Sequence, residues 1–128
     1  MSGPTSPPKP RVLIAEDDEP IATGVRWTLE AEGMTVHVVG LASEVNPAID
    51  AFKPDVILLD LSLPDGDGRA VYEQIGGRLP VIFSTGSLGE LDQFARAHAD
   101  ILILTKPYTR DELLRTIYRV VPARENDG

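Results

Sequence analysis

Four short apolar runs, each running into a polar residue able to do chemistry, constrain this chain more than any other feature. Val12-Leu13-Ile14-Ala15, Val56-Ile57-Leu58-Leu59, Val81-Ile82-Phe83 and Ile101-Leu102-Ile103-Leu104 are near-continuous and rich in β-branched residues, as strands covered on both faces should be. They read as central parallel strands. Met34 to Val39 sets Thr35 and His37 between apolar residues, the alternation of an edge strand with one poorly covered face. Amphipathic stretches lie between the strands. Ile21, Val25 and Leu29 share a helical face, Pro20 is preset for the first helical position and Gly33 closes that helix. Further helices are expected over about Ser43 to Phe52, Arg69 to Ile75, Gly89 to His98 and Arg110 to Val120. Pro47 is tolerable only near the first turn of the second. Five β-α units with right-handed crossovers give an α/β fold, an open parallel sheet with helices on both faces.

The length of 128 residues suits one compact domain. A net charge of -8 sets the average field against nucleic-acid phosphates and anionic lipid, so a protein partner is expected, with no direct nucleic-acid contact and no membrane role. The chain has no cysteine, which excludes disulfides and thiolate metal sites. No apolar run approaches the roughly 20 residues that span a bilayer. A cytoplasmic location is the expectation. Residues 1–10, with Pro4, Pro7, Pro8 and Pro10, read as a flexible tail or as a linker from a longer protein. Residues 11–121 read as the folded unit, and residues 122–128 as a C-terminal tail too short for an output domain.

An open α/β sheet binds ligands beyond the carboxyl ends of its strands, at the point where strand order reverses. The first strand runs into Glu16-Asp17-Asp18, the third into Asp60, the fourth into Ser84-Thr85-Gly86 and the fifth into Thr105-Lys106-Pro107. Three acids in one crevice repel, by roughly 4 kcal/mol per pair about 4 Å apart at an effective dielectric of 20. A cation is therefore required. Hard oxygen donors with room for water and phosphate oxygens suit Mg²⁺. Lys106 adds a compact positive charge suited to a phosphate, and an aspartate in such company can form an aspartyl-phosphate.

These residues resemble response-regulator receiver domains. The resemblance rests on Val12 to Asp18 as opening strand and acidic pair, Asp55 to Gly68 as phosphoacceptor strand and loop, Phe83 to Gly86 as hydroxyl turn, and Lys106-Pro107-Tyr108 as lysine-proline-aromatic corner. It covers about Arg11 to Val121 and implies the flavodoxin-like (βα)5 doubly wound sheet of order 2-1-3-4-5. It also implies that Asp60 is the phosphoacceptor, that Mg²⁺ is held by Asp17, Asp60 and the Ser62 carbonyl, with Glu16 acting through water, and that Thr85, Gly86 and Lys106 contact the phosphoryl group. The Lys106-Pro107 bond is expected to be cis. The implied partners are a histidine kinase or phosphotransfer protein and a downstream protein target. The protein is expected to be a monomer or a weak phosphorylation-dependent dimer. It is expected to act as a phosphoacceptor assisting its own phosphotransfer and dephosphorylation, and not as an enzyme in the usual sense. It is expected to be a stand-alone receiver of bacterial type.

Ile103 stands where the family usually carries a switch aromatic on its output surface, three positions before the lysine. With Phe83-Ser84-Thr85-Gly86 this is similar to a variant group named for a Phe-Ala-Thr-Gly motif, Ser84 replacing its Ala. The signal is therefore expected to travel through the loop after Thr85.

Each piece has a plainer reading. The acids after the first strand could be a cap and first-turn charges favouring the helix dipole. Thr85-Gly86 could be a turn and Lys106 a solvated lysine; company at the other strand ends tips the balance. Asp18 is expected to be a solvated acid at the helix start, His37 and His98 surface or half-buried, and Trp27 and Tyr72 packed on helices. Asp65-Gly66-Asp67-Gly68 fails as a Ca²⁺ loop because Gly76 stands where a bidentate Glu belongs. Two other functions remain in play. A Mg²⁺-dependent phosphatase with an Asp nucleophile would want an acid at Ser62, and a phosphorylation-independent interaction module would lack the acceptor or the lysine.

Overall fold

Strand β1 (Arg11–Ala15) lies inside a five-stranded parallel sheet, paired on one side with β2 (Thr35–Val39) and on the other with β3 (Val56–Asp60). The sheet continues through β4 (Val81–Thr85) to β5 (Leu102–Thr105), giving the expected order 2-1-3-4-5. This computed structural model describes residues 9–121, so the expected tails, apart from residues 9 and 10, lie outside the described residues. All five residues of β3 and of β4 are buried, matching their unbroken apolar sequence. β5 is an edge strand instead of a central one, and Leu102 and Ile103 are only half-buried.

Helices cover both faces. α1 (Glu19–Ala31) and α5 (Arg110–Val120) place Val25, Leu29, Leu113 and Ile117 over Val12, Ile14, Leu58 and Ile82. α2 (Val45–Phe52), α3 (Gly68–Ile75) and α4 (Asp92–Ala97) cover Leu13, Ile57, Leu59 and Phe83 on the other side. Asp18 caps α1 by accepting the Ile21 N–H, and Thr109 and Glu112 form a reciprocal capping box on α5. Pro47 falls in the first turn of α2, where its missing N–H costs nothing. The fourth helix is shorter than its sequence suggests, because Leu88–Leu91 forms a 3-10 turn before Asp92. No helix among the described residues is long and apolar enough to cross a membrane.

Trp27 is 65% exposed on the outer face of α1, so it does not pack as expected. Its position lies opposite Ala22, Val25 and Leu29, the residues this helix buries. Tyr72 does pack, its ring centroid 5.9 Å from Phe83 and 5.3 Å from Phe94. His98 has more company than its sequence neighbourhood implies, with Phe94 at 4.2 Å and Glu73 at 3.4 Å.

Candidate functional site

Side chains alternate between the faces of a strand, so a residue's row decides where it points. Val12 and Ile14 lead to Glu16, Val56 and Leu58 to Asp60, and Ile82 to Ser84, all toward the face covered by α1 and α5. Lys106 follows Leu104 in the same row. Thr85 belongs to the opposite row, with Phe83. The site therefore straddles the carboxyl edge of the sheet.

Glu16, Asp17 and Asp60 bring carboxylate oxygens within 4.8 Å of one another. Lys106 Nζ lies 2.7 Å from Glu16 Oε1 and 3.5 Å from Asp60 Oδ2. The Ser62 N–H donates to Asp60 Oδ1 at 3.2 Å, and the Asp18 N–H donates to Glu16 Oε2 at 3.1 Å. Glu16 and Asp60 are buried, whereas Asp17 faces solvent. Burial lifts the Glu16 carboxyl above its ordinary range, opposed by the bonds from Lys106 and the Asp18 N–H and helped by the charge of Asp60. Burial pulls the Lys106 ammonium down, but Glu16 and Asp60 together outweigh it and hold this lysine above its usual value. Three carboxylates against one ammonium leave two negative charges, the complement of a divalent cation. All the donors are hard oxygens, so the residues fit Mg²⁺.

The loops fix this geometry. The Lys106-Pro107 peptide is cis, as expected, and the Lys106 N–H donates to the Thr85 carbonyl at 2.8 Å. Thr85 Oγ1 accepts the Ser87 N–H at 3.0 Å, and Gly86 is exposed with open space around its Cα. The Asp-Gly-Asp-Gly run is a brace. Asp65 accepts the N–H groups of Ala42 and Ser43 at 2.6 and 3.0 Å, and Asp67 caps α3. Gly68 passes so close to the end of β3 that a Cβ there would meet the Asp60 carbonyl oxygen at 2.7 Å. Arg69 pairs with Asp67 at 2.8 Å and donates to the Glu90 carbonyl at 2.9 Å, tying the start of α3 to the turn before α4.

Residues 12–118 match the sequence profile of the response regulator receiver domain. The chain belongs to that family. It is 35% identical over 114 residues to the sensory transduction protein RegX3 of Mycolicibacterium smegmatis, across 86% of this chain and 50% of that protein. The cell cycle response regulator CtrA of Brucella ovis is 33% identical over 116 residues, with 87% and 50% covered. This receiver thus spans half the length of the curated relatives named here. Its fold superposes on the non-phosphorylated HemR receiver domain of Leptospira biflexa with a TM-score of 0.79, at 28% identity, covering 94% of this chain and 100% of that one. The receiver domain of the sensor histidine kinase PA1611 of Pseudomonas aeruginosa PAO1 gives a TM-score of 0.77 at 27% identity, covering 88% and 97%, and holds a magnesium ion in its active-site cleft.

Within the receiver, the structure brings Glu16, Asp17, Asp60 and Lys106 together and places Ser62 in the hairpin after β3, Thr85 at the end of β4 and Gly86 directly after it. Ile103 is half-buried on β5, away from this cluster and beside the face covered by α4. Sequence reading missed two groups behind Asp60. Ser84 pairs with Asp60 in register and is 2% exposed, and Tyr108 lines the same narrow gap. The row of Ser84 was readable from its spacing to Ile82, but the return of Tyr108 to the same gap joins distant segments that no local pattern connects.

Proposed function

We propose that this receiver accepts a phosphoryl group from a histidine kinase or phosphotransfer protein onto Asp60, with Mg²⁺ held by Asp17, Asp60 and the Ser62 carbonyl, and so regulates a protein partner. The observation that carries the reading is the pairing of Asp60 with Lys106 at 3.5 Å in a crevice that retains two negative charges. Asp60 Oδ2 is the attacking oxygen, since Oδ1 is held by the Ser62 N–H. Lys106 must move from Glu16 toward the transferred group, where its ammonium balances charge on the phosphoryl oxygens. Bound Mg²⁺ supplies charge neutralisation for those oxygens. Glu16, held by Lys106 and the Asp18 N–H, would act on the metal through water.

Thr85 and Gly86 contact the phosphoryl group in this reading, and the Thr85 hydroxyl must then turn its O–H away from the Ser87 carbonyl, which accepts it at 3.3 Å. The loop after Thr85 shifts, and the Arg69 bond to the Glu90 carbonyl transmits or resists that shift toward the α4–β5–α5 surface around Ile103. The receiver assists its own phosphotransfer and dephosphorylation and turns over no free substrate.

Incubation with acetyl phosphate and Mg²⁺ should add the mass of one phosphoryl group to the intact protein, mapped to the peptide holding Asp60. Chelation should abolish the gain. Multiple turnover of a generic phosphomonoester without retained label would overturn the reading. Asp17→Asn should weaken Mg²⁺ on the order of tenfold or more, because it removes a carboxylate ligand and part of the field that attracts the cation. The measurement is an NMR-followed Mg²⁺ titration, and equal affinity in both proteins would remove Asp17 from the ligand set.

A further inference from the structure

Among the described residues, Ser84 Oγ is the buried side-chain polar atom that has no hydrogen-bond partner. Leaving a hydroxyl buried and unpaired is costly, so its place needs a reason. Ser84 stands beside Asp60 across the β3–β4 ladder and points into a gap lined also by Glu16, Ala22, Leu58 and Tyr108. That gap is too narrow for a water molecule. The Tyr108 hydroxyl reaches the same place. Burial raises it above the ordinary tyrosine range, while the nearby Ser84 hydroxyl and the Lys106 charge oppose the rise. The two hydroxyls are therefore neighbours, and Ser84 Oγ makes no well-formed hydrogen bond to any group around it.

We infer that Ser84, backed by Tyr108, is a positioning pair for the Asp60 carboxyl that shortens the life of the aspartyl-phosphate. This rests on the proposed role of Asp60. In the resting state Lys106 and the Ser62 N–H already engage the Asp60 oxygens. During hydrolysis, water attacks phosphorus and the bond from phosphorus to the Asp60 oxygen breaks. The electron pair returns to the Asp60 carboxylate, and hydrogen phosphate and a proton leave. Negative charge thus grows on Asp60 as the bond breaks. A Ser84 O–H that turns onto it as this charge develops, with the Tyr108 O–H closing on Ser84 Oγ, is worth more in that transition state than before it. The Ala that the related motif carries has no such donor.

The test is the lifetime of the label, after removal of the phosphodonor, in wild type, Ser84→Ala, Tyr108→Phe and the double variant. Each single variant should lengthen the lifetime about 3- to 10-fold, the worth of one hydrogen bond, and the double variant no further than Ser84→Ala alone. Ser84→Thr should restore most of the wild-type rate. Ser84→Ala should not lower the melting temperature, since it removes an unpaired buried hydroxyl, and Mg²⁺ affinity should stay within error of wild type. Equal lifetimes in wild type and Ser84→Ala overturn this inference and leave the role of Asp60 standing. A wild-type protein that takes up no label overturns both.

Discussion

Asp60→Asn should take up no phosphoryl group under conditions that label the wild-type protein fully. The amide keeps the shape of the carboxylate and its bond from the Ser62 N–H, but it lacks the nucleophilic oxyanion. No neighbour can substitute. Glu16 Oε1 is engaged by Lys106 at 2.7 Å and Oε2 by the Asp18 N–H, and Asp17 is exposed to solvent. The variant should fold at least as well as wild type, because it removes one of three mutually repelling carboxylates. Failure to label therefore reports chemistry and not collapse. Intact-mass measurement at matched protein, acetyl phosphate and Mg²⁺ checks it, and undiminished labelling would move the acceptor elsewhere.

Phe83→Ala should cost about 3–5 kcal/mol of stability, the range for removing a fully buried aromatic side chain. The ring is fully buried, with Tyr72 at 5.9 Å and Phe94 at 5.8 Å, so it joins β4 to the helices on that face. A domain of this size has about 5–15 kcal/mol to lose. The urea midpoint should fall by on the order of 2 M, with weaker Mg²⁺ binding because Phe83 immediately precedes Ser84 and Thr85. A loss under about 1 kcal/mol would mean that the helices close over the void.

The strands were legible from their unbroken apolar runs and their polar ends marked the crevice, although the same pattern in β5 belongs to a half-buried edge strand. What escaped the sequence depends on contacts between distant segments. The hairpin of Ser62–Leu63 with Gly66–Asp67 is too short to show a period. Its acids looked like a failed Ca²⁺ loop because their partners, the Ala42 and Ser43 N–H groups, lie more than a helix away. Trp27 was misplaced because a tryptophan reads as core by residue type, although its spacing from Ile21, Val25 and Leu29 already puts it on the outer row of α1. The Glu16–Lys106 bond was missed for a simpler reason. The residues at the strand ends were seen as separate contributors to a ligand, and their attraction to one another was left out.

The strand order has a bearing on how the chain is made. As synthesis proceeds, β2 can dock on β1, β3 on the free edge of β1, β4 on β3 and β5 on β4, so every strand joins an existing edge and none has to be threaded between two others. The acids after β1 and β3 meet early in that sequence, and the lysine after β5 arrives last. A nascent sheet lacking its fifth strand holds the carboxylates without their internal counter-charge, so dissolved divalent cations should speed the middle of folding more than its end.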